Sequence, residues 1–186
     1  MIGLSQLEFR ILDGFANTFQ SEFLDMLAPK ISFLADGGWL WILFAVLLLL
    51  KKRTRKTGLT ITLALLLSML VANIILKPVV ARIRPFHVNP NIRLLIPAPS
   101  DYSFPSGHTQ ASFAAATAMY CNIKYLGIAA LLLAGLIGFS RLYLYVHYVS
   151  DVLAGALIGY GLGCLSNSLI GELRYMYNAK KRKRRK

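Results

Sequence analysis

Three short stretches of this chain hold the side chains able to do chemistry. The first has Lys77, six intervening residues that include Arg82, then Arg84-Pro85. The second is Pro105-Ser106-Gly107-His108, preceded by Ser103. The third is Ser140-Arg141, five residues, His147, three residues and Asp151. Arg gives bidentate hydrogen bonds to phosphate oxygens and Lys adds a point charge. A helix starting near Pro105, capped by Ser103, would aim free backbone N–H groups at an anion. Gly107 would let that anion approach the backbone closely. Two turns of helix would put Lys77 and Arg84 on nearly one side, and His147 and Asp151, spaced i,i+4, would share a helix face. Each stretch has a plain reading too: snorkelling cations, a capped helix with an incidental histidine, and an aromatic belt of Tyr143, Tyr145 and Tyr148. Together they form an inventory for a tetrahedral oxyanion and for phosphoryl transfer, where positioning and charge stabilisation carry most of the catalysis. The sequence has no carboxylate cluster for Mg²⁺ or Zn²⁺ and no glycine-rich nucleotide loop. The expectation is a reaction with no metal and no cofactor, run through a nucleophilic side chain.

The elements that must position these groups are membrane helices. The chain is 56% hydrophobic and 16% charged, against about 45–50% and about 25% for a soluble domain. Residues 57–76, 125–140 and 152–171 carry no charge, and 37–50 and 109–123 are shorter but equally apolar. Twenty residues at ~1.5 Å rise cover ~30 Å, one hydrocarbon thickness. The formal charge of +13 sits mainly in two blocks, Lys51 to Lys56 and the run from Lys180 to Lys186. Basic loops belong in the cytoplasm. That rule puts residues 51–56, Lys124 and the basic tail 174–186 inside, and all three chemical stretches outside. The tail reads as an anchor to anionic lipid, not a nucleic-acid site.

Residues 1–19 have Leu4, Leu7, Ile11, Leu12, Phe15 and Phe19 at helical spacing, with Glu8, Arg10 and Asp13 opposite. This predicts an amphipathic interfacial helix. The first residues lack the basic start and apolar core of a cleavable signal. Residues 20–35 span with difficulty, because they hold Asp25, Pro29 and Lys30. Asp36-Gly37-Gly38 breaks the chain before Trp39 and Trp41, which suit an outer interface. The predicted fold is an all-α, polytopic membrane helix bundle of six helices with both termini inside; five spans with an outside N-terminus is the alternative. Gly155, Gly159 and Gly163 mark a close-packing stripe on the last span. His87, Arg93 and Asp101 read as solvated loop residues, and Cys121 and Cys164 as packing residues without disulfide or metal spacing.

The three stretches resemble the signature of the type 2 phosphatidic acid phosphatase family of membrane lipid phosphate phosphatases. That signature is Lys-x6-Arg-Pro, Pro-Ser-Gly-His and Ser-Arg-x5-His-x3-Asp, and all eleven fixed positions match between residues 77 and 151. The resemblance implies one integral membrane phosphatase domain over residues 1–186. It implies that His147 is the nucleophile, forming a phosphohistidine, that Asp151 orients it, and that His108 protonates the leaving oxygen. Lys77, Arg84 and Arg141 would hold phosphate, with Ser106 and the Gly107 N–H assisting. The implied substrate is a lipid phosphate reached from the bilayer. Undecaprenyl diphosphate is the first choice, and phosphatidylglycerophosphate or phosphatidic acid comes next. The implied location is a bacterial inner membrane, with the site on the extracytoplasmic side. Soluble relatives of the family are disfavoured by the apolar spans. A non-catalytic lipid-phosphate binding or transport protein is the reading from another class, since binding needs the cations but not two histidines and an acid. Oligomeric state is left open.

Overall fold

The structure is a computed structural model that describes residues 2–89 and 91–184. Arg185 and Lys186 of the basic tail, and the side chain of Leu4, lie outside the described residues. Nine α-helices and no strand occur among the described residues. They are α1 (Ile2–Phe19), α2 (Glu22–Phe33), α3 (Trp39–Leu50), α4 (Arg55–Met69), α5 (Lys77–Val80), α6 (Pro85–Val88), α7 (Gly107–Tyr120), α8 (Lys124–Tyr143) and α9 (Val149–Lys183). Ser21 caps α2 by accepting the Leu24 N–H at 3.3 Å. A 3₁₀ turn at Asp36–Gly38 separates α2 from α3, with Gly37 and Gly38 at φ of +57° and +73°. Residues with side chains rarely adopt that left-handed geometry. A π-helical stretch, Leu70–Leu76, joins α4 to α5.

The centre of the bundle is α7. Its run of Ala, Thr and Ser is buried on every side, as a helix surrounded by others must be. It packs on α4, α8 and α9, and α3 lies against α4. Small residues let these backbones approach. A Cβ on Gly155 would sit 2.8 Å from the Ser106 carbonyl oxygen, on Gly159 2.4 Å from that of Gln110, and on Gly163 2.6 Å from Thr117 Cβ. The glycine stripe therefore packs within the bundle, as expected.

The stretches Arg55–Val88, Lys124–Tyr143 and Val149–Lys183 are each long and apolar enough to cross a membrane. The pair Glu22–Phe33 and Asp36–Leu50, bent by 45°, makes a fourth candidate. With only 14 residues, α7 is shorter, but it runs from the chemical stretches to the far end, from which α8 returns. Large apolar side chains such as Leu132 and Leu157 face outward. The protein is a multi-pass membrane helix bundle. Among the described residues it has six helical segments when the bent pair counts as one and Arg55–Val88 (α4 to α6) as another.

Within this fold several local expectations change. The first segment, read from sequence as an interfacial helix, lies at the end of the bundle that holds the chemical stretches: Glu8 pairs with Arg82, and Phe19 packs on Phe139. It lies beside the chemical stretches, as in the five-span alternative, so the two terminal segments sit at opposite ends. Its acidic residues turn inward: Asp13 accepts from Tyr145 Oη at 2.5 Å, while Leu7 and Ile11 are exposed. Lys77 and Arg84 do not share a helix. The chain leaves α5 at Ala81, whose φ is +46°, and Arg84 is extended because it precedes Pro85. Trp41 is no interfacial anchor, for it is fully buried and donates to Ser112 Oγ at 2.9 Å. Tyr143, Tyr145 and Tyr148 are buried rather than forming a belt.

Candidate active site

The connector between α8 and α9 carries His147. Arg84 reaches it from the segment before α6: its Nη1 lies 3.1 Å from His147 Nε2 and donates to the Val146 carbonyl at 2.6 Å. A guanidinium can only donate, so Nε2 accepts and the ring proton sits on Nδ1. That proton faces Ser103 Oγ at 3.5 Å and Asp151 Oδ2 at 3.6 Å. Burial, then the charges of Arg84 and Arg141, push the His147 pKa down to about 3, so the imidazole is neutral. Neutral, with Nε2 unprotonated, is the form a nucleophilic imidazole needs.

The expected i,i+4 helical pair is not what joins His147 to Asp151. The helix begins only at Val149, and Asp151 sits in its first turn, accepting the Tyr148 N–H at 2.9 Å as half of a capping box. The same oxygen accepts from Ser103 Oγ at 2.5 Å. So Ser103 does not cap α7; it bridges the second and third stretches. Ser106 is the N-cap residue of α7, its hydroxyl pairs with Thr109 at 2.9 Å, and its N–H donates to the Asp151 carbonyl at 3.1 Å. The other Asp151 oxygen accepts from Arg82 Nη1 at 2.7 Å. Arg82 also pairs with Glu8 and lies 3.9 Å over the Tyr148 ring.

Gly107 and His108 open α7, and His108 Nε2 lies 2.5 Å from Asp36 Oδ1. Lys77 is buried and paired with Asp101, whose carboxylate Arg84 Nη2 also binds at 2.6 Å. Burial alone would raise the Asp101 pKa, but Lys77 and Arg84 outweigh it and hold the acid at about 2. Arg141 stands apart. It is 2% exposed, its Nη1 bonds Ser32, and its Nε has no partner among the described residues. No carboxylate lies within ion-pair distance of it among the described residues.

Lys77, Arg84, Gly107, His108, Arg141 and His147 line one cleft of about 1010 Å³. Ser106 and Asp151 stand buried behind it. Three distant stretches thus form a single cationic pocket with two imidazoles. The cleft continues away from the charges between α3 and α4, past Ile42, Val46, Leu65 and Met69. Sequence reasoning read Asp36 as part of a chain break, Glu8 as the polar face of a helix and Asp101 as a solvated loop residue, and gave Arg82 no partner; all three acids instead pair with site cations or imidazoles. Of the three, only Asp101 lies between two of the motif stretches in sequence. Arg93 and His87 do remain exposed.

Relatives share both the sequence and the fold. An undecaprenyl-diphosphatase of Sulfolobus acidocaldarius is 40% identical over 130 residues, 69% of this chain and 62% of that protein, so the match spans less than two thirds of the relative's length. A protein of Bacillus licheniformis named bacitracin transport permease protein BcrC is 34% identical over 148 residues, covering 78% of this chain and 72% of its own. The crystal structure of a transmembrane PAP2 type phosphatidylglycerolphosphate phosphatase from Bacillus subtilis superposes with a TM-score of 0.75 at 25% identity, covering 92% of this chain and 88% of that one. Residues 57–175, well over half of the sequence, match the PAP2 superfamily. The chain belongs to that superfamily.

Proposed function

We propose that this protein is a membrane lipid phosphatase that removes the terminal phosphate of a lipid phosphate, with undecaprenyl diphosphate the first choice. The observation that carries the reading is Arg141, a fully buried guanidinium with an unpaired Nε in a cleft shared with Lys77, Arg84 and both imidazoles. A buried cation without an anion is costly, and a bound phosphate would supply that anion. In the reaction, His147 Nε2 attacks the terminal phosphorus while the bond to the leaving oxygen breaks. Asp151 holds the Nδ1 side and stabilises the imidazolium that forms, as the acid of a Ser-His-Asp triad does. His108 gives a proton to the leaving oxygen, then takes one from the water that cleaves the phosphohistidine. Lys77, Arg84 and Arg141, with Ser106 and the Gly107 N–H, hold the equatorial oxygens. The lipid tail would lie in the apolar continuation between α3 and α4. The charge pattern supports a site on the extracytoplasmic face and a basic tail in the cytoplasm.

The name of the Sulfolobus relative supports the undecaprenyl choice, and the Bacillus subtilis structure keeps phosphatidylglycerophosphate, with phosphatidic acid, as the alternative. Phosphate release from detergent-purified protein, measured over these three lipids, separates them. His147→Ala is expected to insert and fold but release no phosphate above background. A protein that binds all three lipids and cleaves none would instead be a binding or transport protein, and full turnover by His147→Ala would remove the nucleophile assignment.

A further inference from the structure

Arg84 has five N–H groups, and four are committed within the protein: one to the Asp101 carbonyl at 2.8 Å, one to the Asp101 carboxylate at 2.6 Å, one to Val146 and one to His147 Nε2. Lys77 is paired with the same carboxylate. Two of the three cations that face the cleft therefore already share one acid, and the lone pair proposed to attack phosphorus is covered by Arg84. Asp101 is itself half-exposed, on the loop that precedes α7, so it can leave without unpacking a helix. Arg141 keeps no such acid.

We infer that Asp101 is the resting counter-anion of the phosphate site and sets the charge a ligand needs to enter it. This rests on the reading of the cleft as a phosphate site. A ligand group with one negative charge, such as the phosphodiester of ordinary bilayer phospholipids, only exchanges one monoanion for another and gains little. A terminal phosphate, with a second pKa of about 6, carries close to two charges and more acceptor oxygens. It draws Lys77 and Arg84 from the carboxylate, meets Arg141, and in moving Arg84 uncovers His147 Nε2. The substrate class so selected is the phosphomonoester or terminal diphosphate of a lipid, against a large excess of phosphodiester headgroups. Asp101 is in this scheme a specificity-determining residue that touches the cations, not the reacting atoms.

The test uses full-length protein in nanodiscs and inorganic phosphate as the probe. Asp101→Asn keeps the shape of the side chain but removes the competing charge, and is expected to bind inorganic phosphate about 10–100-fold more tightly, the range carried by hydrogen bonds to charged groups. Its turnover is also expected to become sensitive to the phosphatidylglycerol content of the disc, where the native protein is not. Asp101→Ser, measured beside it, should behave alike, so that misfolding of one variant leaves the other to decide. Equal or weaker phosphate binding by the folded variants, with binding by the native protein intact, overturns the role of Asp101 and leaves the phosphate site standing. No phosphate binding by any form, the native protein included, overturns the phosphate site and this inference with it.

Discussion

Gly159→Ala adds one methyl at a close crossing of α7 and α9. That methyl would lie 2.4 Å from the Gln110 carbonyl oxygen, 3.0 Å from Phe113 Cβ and 3.1 Å from the Ala114 nitrogen. Ordinary contact begins near 3.4 Å, so α7 and α9 must part by about 1 Å, because the nearest obstructing atom is a backbone oxygen that cannot swing aside. Overpacking of this kind costs about 1–3 kcal/mol, while exchanging Gly for Ala inside a helix returns about 1 kcal/mol. Gly161→Ala supplies the comparison, because nothing lies within 4 Å of a Cβ there and only the helix gain applies. The two variants should therefore differ by about 1–3 kcal/mol, or roughly 2–12 °C in Tm for a chain of this size. Function should suffer as well. The N-terminus of α7 carries Gly107 and His108 and that of α9 carries Asp151, and a misplacement of about 1 Å in reacting groups can cost on the order of 100-fold in rate. Thermal unfolding in detergent and kcat on the best lipid substrate are the assays. If Gly159→Ala matches Gly161→Ala in both, the close crossing does not hold the two halves of the site together, and the reasoning fails.

Other expectations follow from the same geometry. Asp151→Asn keeps the size of the side chain but turns the acceptor of the Ser103 hydroxyl, Tyr148 N–H and Arg82 bonds into a neutral amide; kcat should fall on the order of 10⁴-fold, as when the acid of a Ser-His-Asp triad is made neutral, and a fall of less than about tenfold would separate Asp151 from the chemistry. Arg82→Ala strips the outer oxygen of Asp151 and leaves Glu8 without its cation, whereas Glu8→Gln removes only the tie to α1. The first should lower kcat at least about tenfold, a loss of ~1.4 kcal/mol in transition-state binding, and more than the second; equal kcat values would show that Arg82 serves only to anchor α1.

The amino-acid order alone determined the class of fold and most of the pocket. Long uncharged runs have one stable solvent, and spans of twenty apolar residues followed directly from it. Cations, imidazoles and an acid placed beside such runs are too costly to be incidental, so Lys77, Arg84, His108, Arg141, His147 and Asp151 were legible as one set before any coordinate. What only the tertiary structure decided is how that set is wired. Hydrogen-bond partners 17 to 109 residues apart, such as Arg84 with Asp101 and Arg141 with Ser32, follow from which helix ends meet, and helical periodicity carries no information on that. The break at Ala81 and the extended Arg84 replaced a continuous helix, because Pro85 acts on the residue before it. Ser103, which local rules assign to a cap, bonds Asp151 instead, because the loop before α7 crosses the start of α9. Asp36, Asp101 and Glu8 carry no local signature at all: a carboxylate in a loop looks solvated until the fold puts a cation in front of it, and at a few ångströms in a site shielded from water that charge outweighs what hydration would offer.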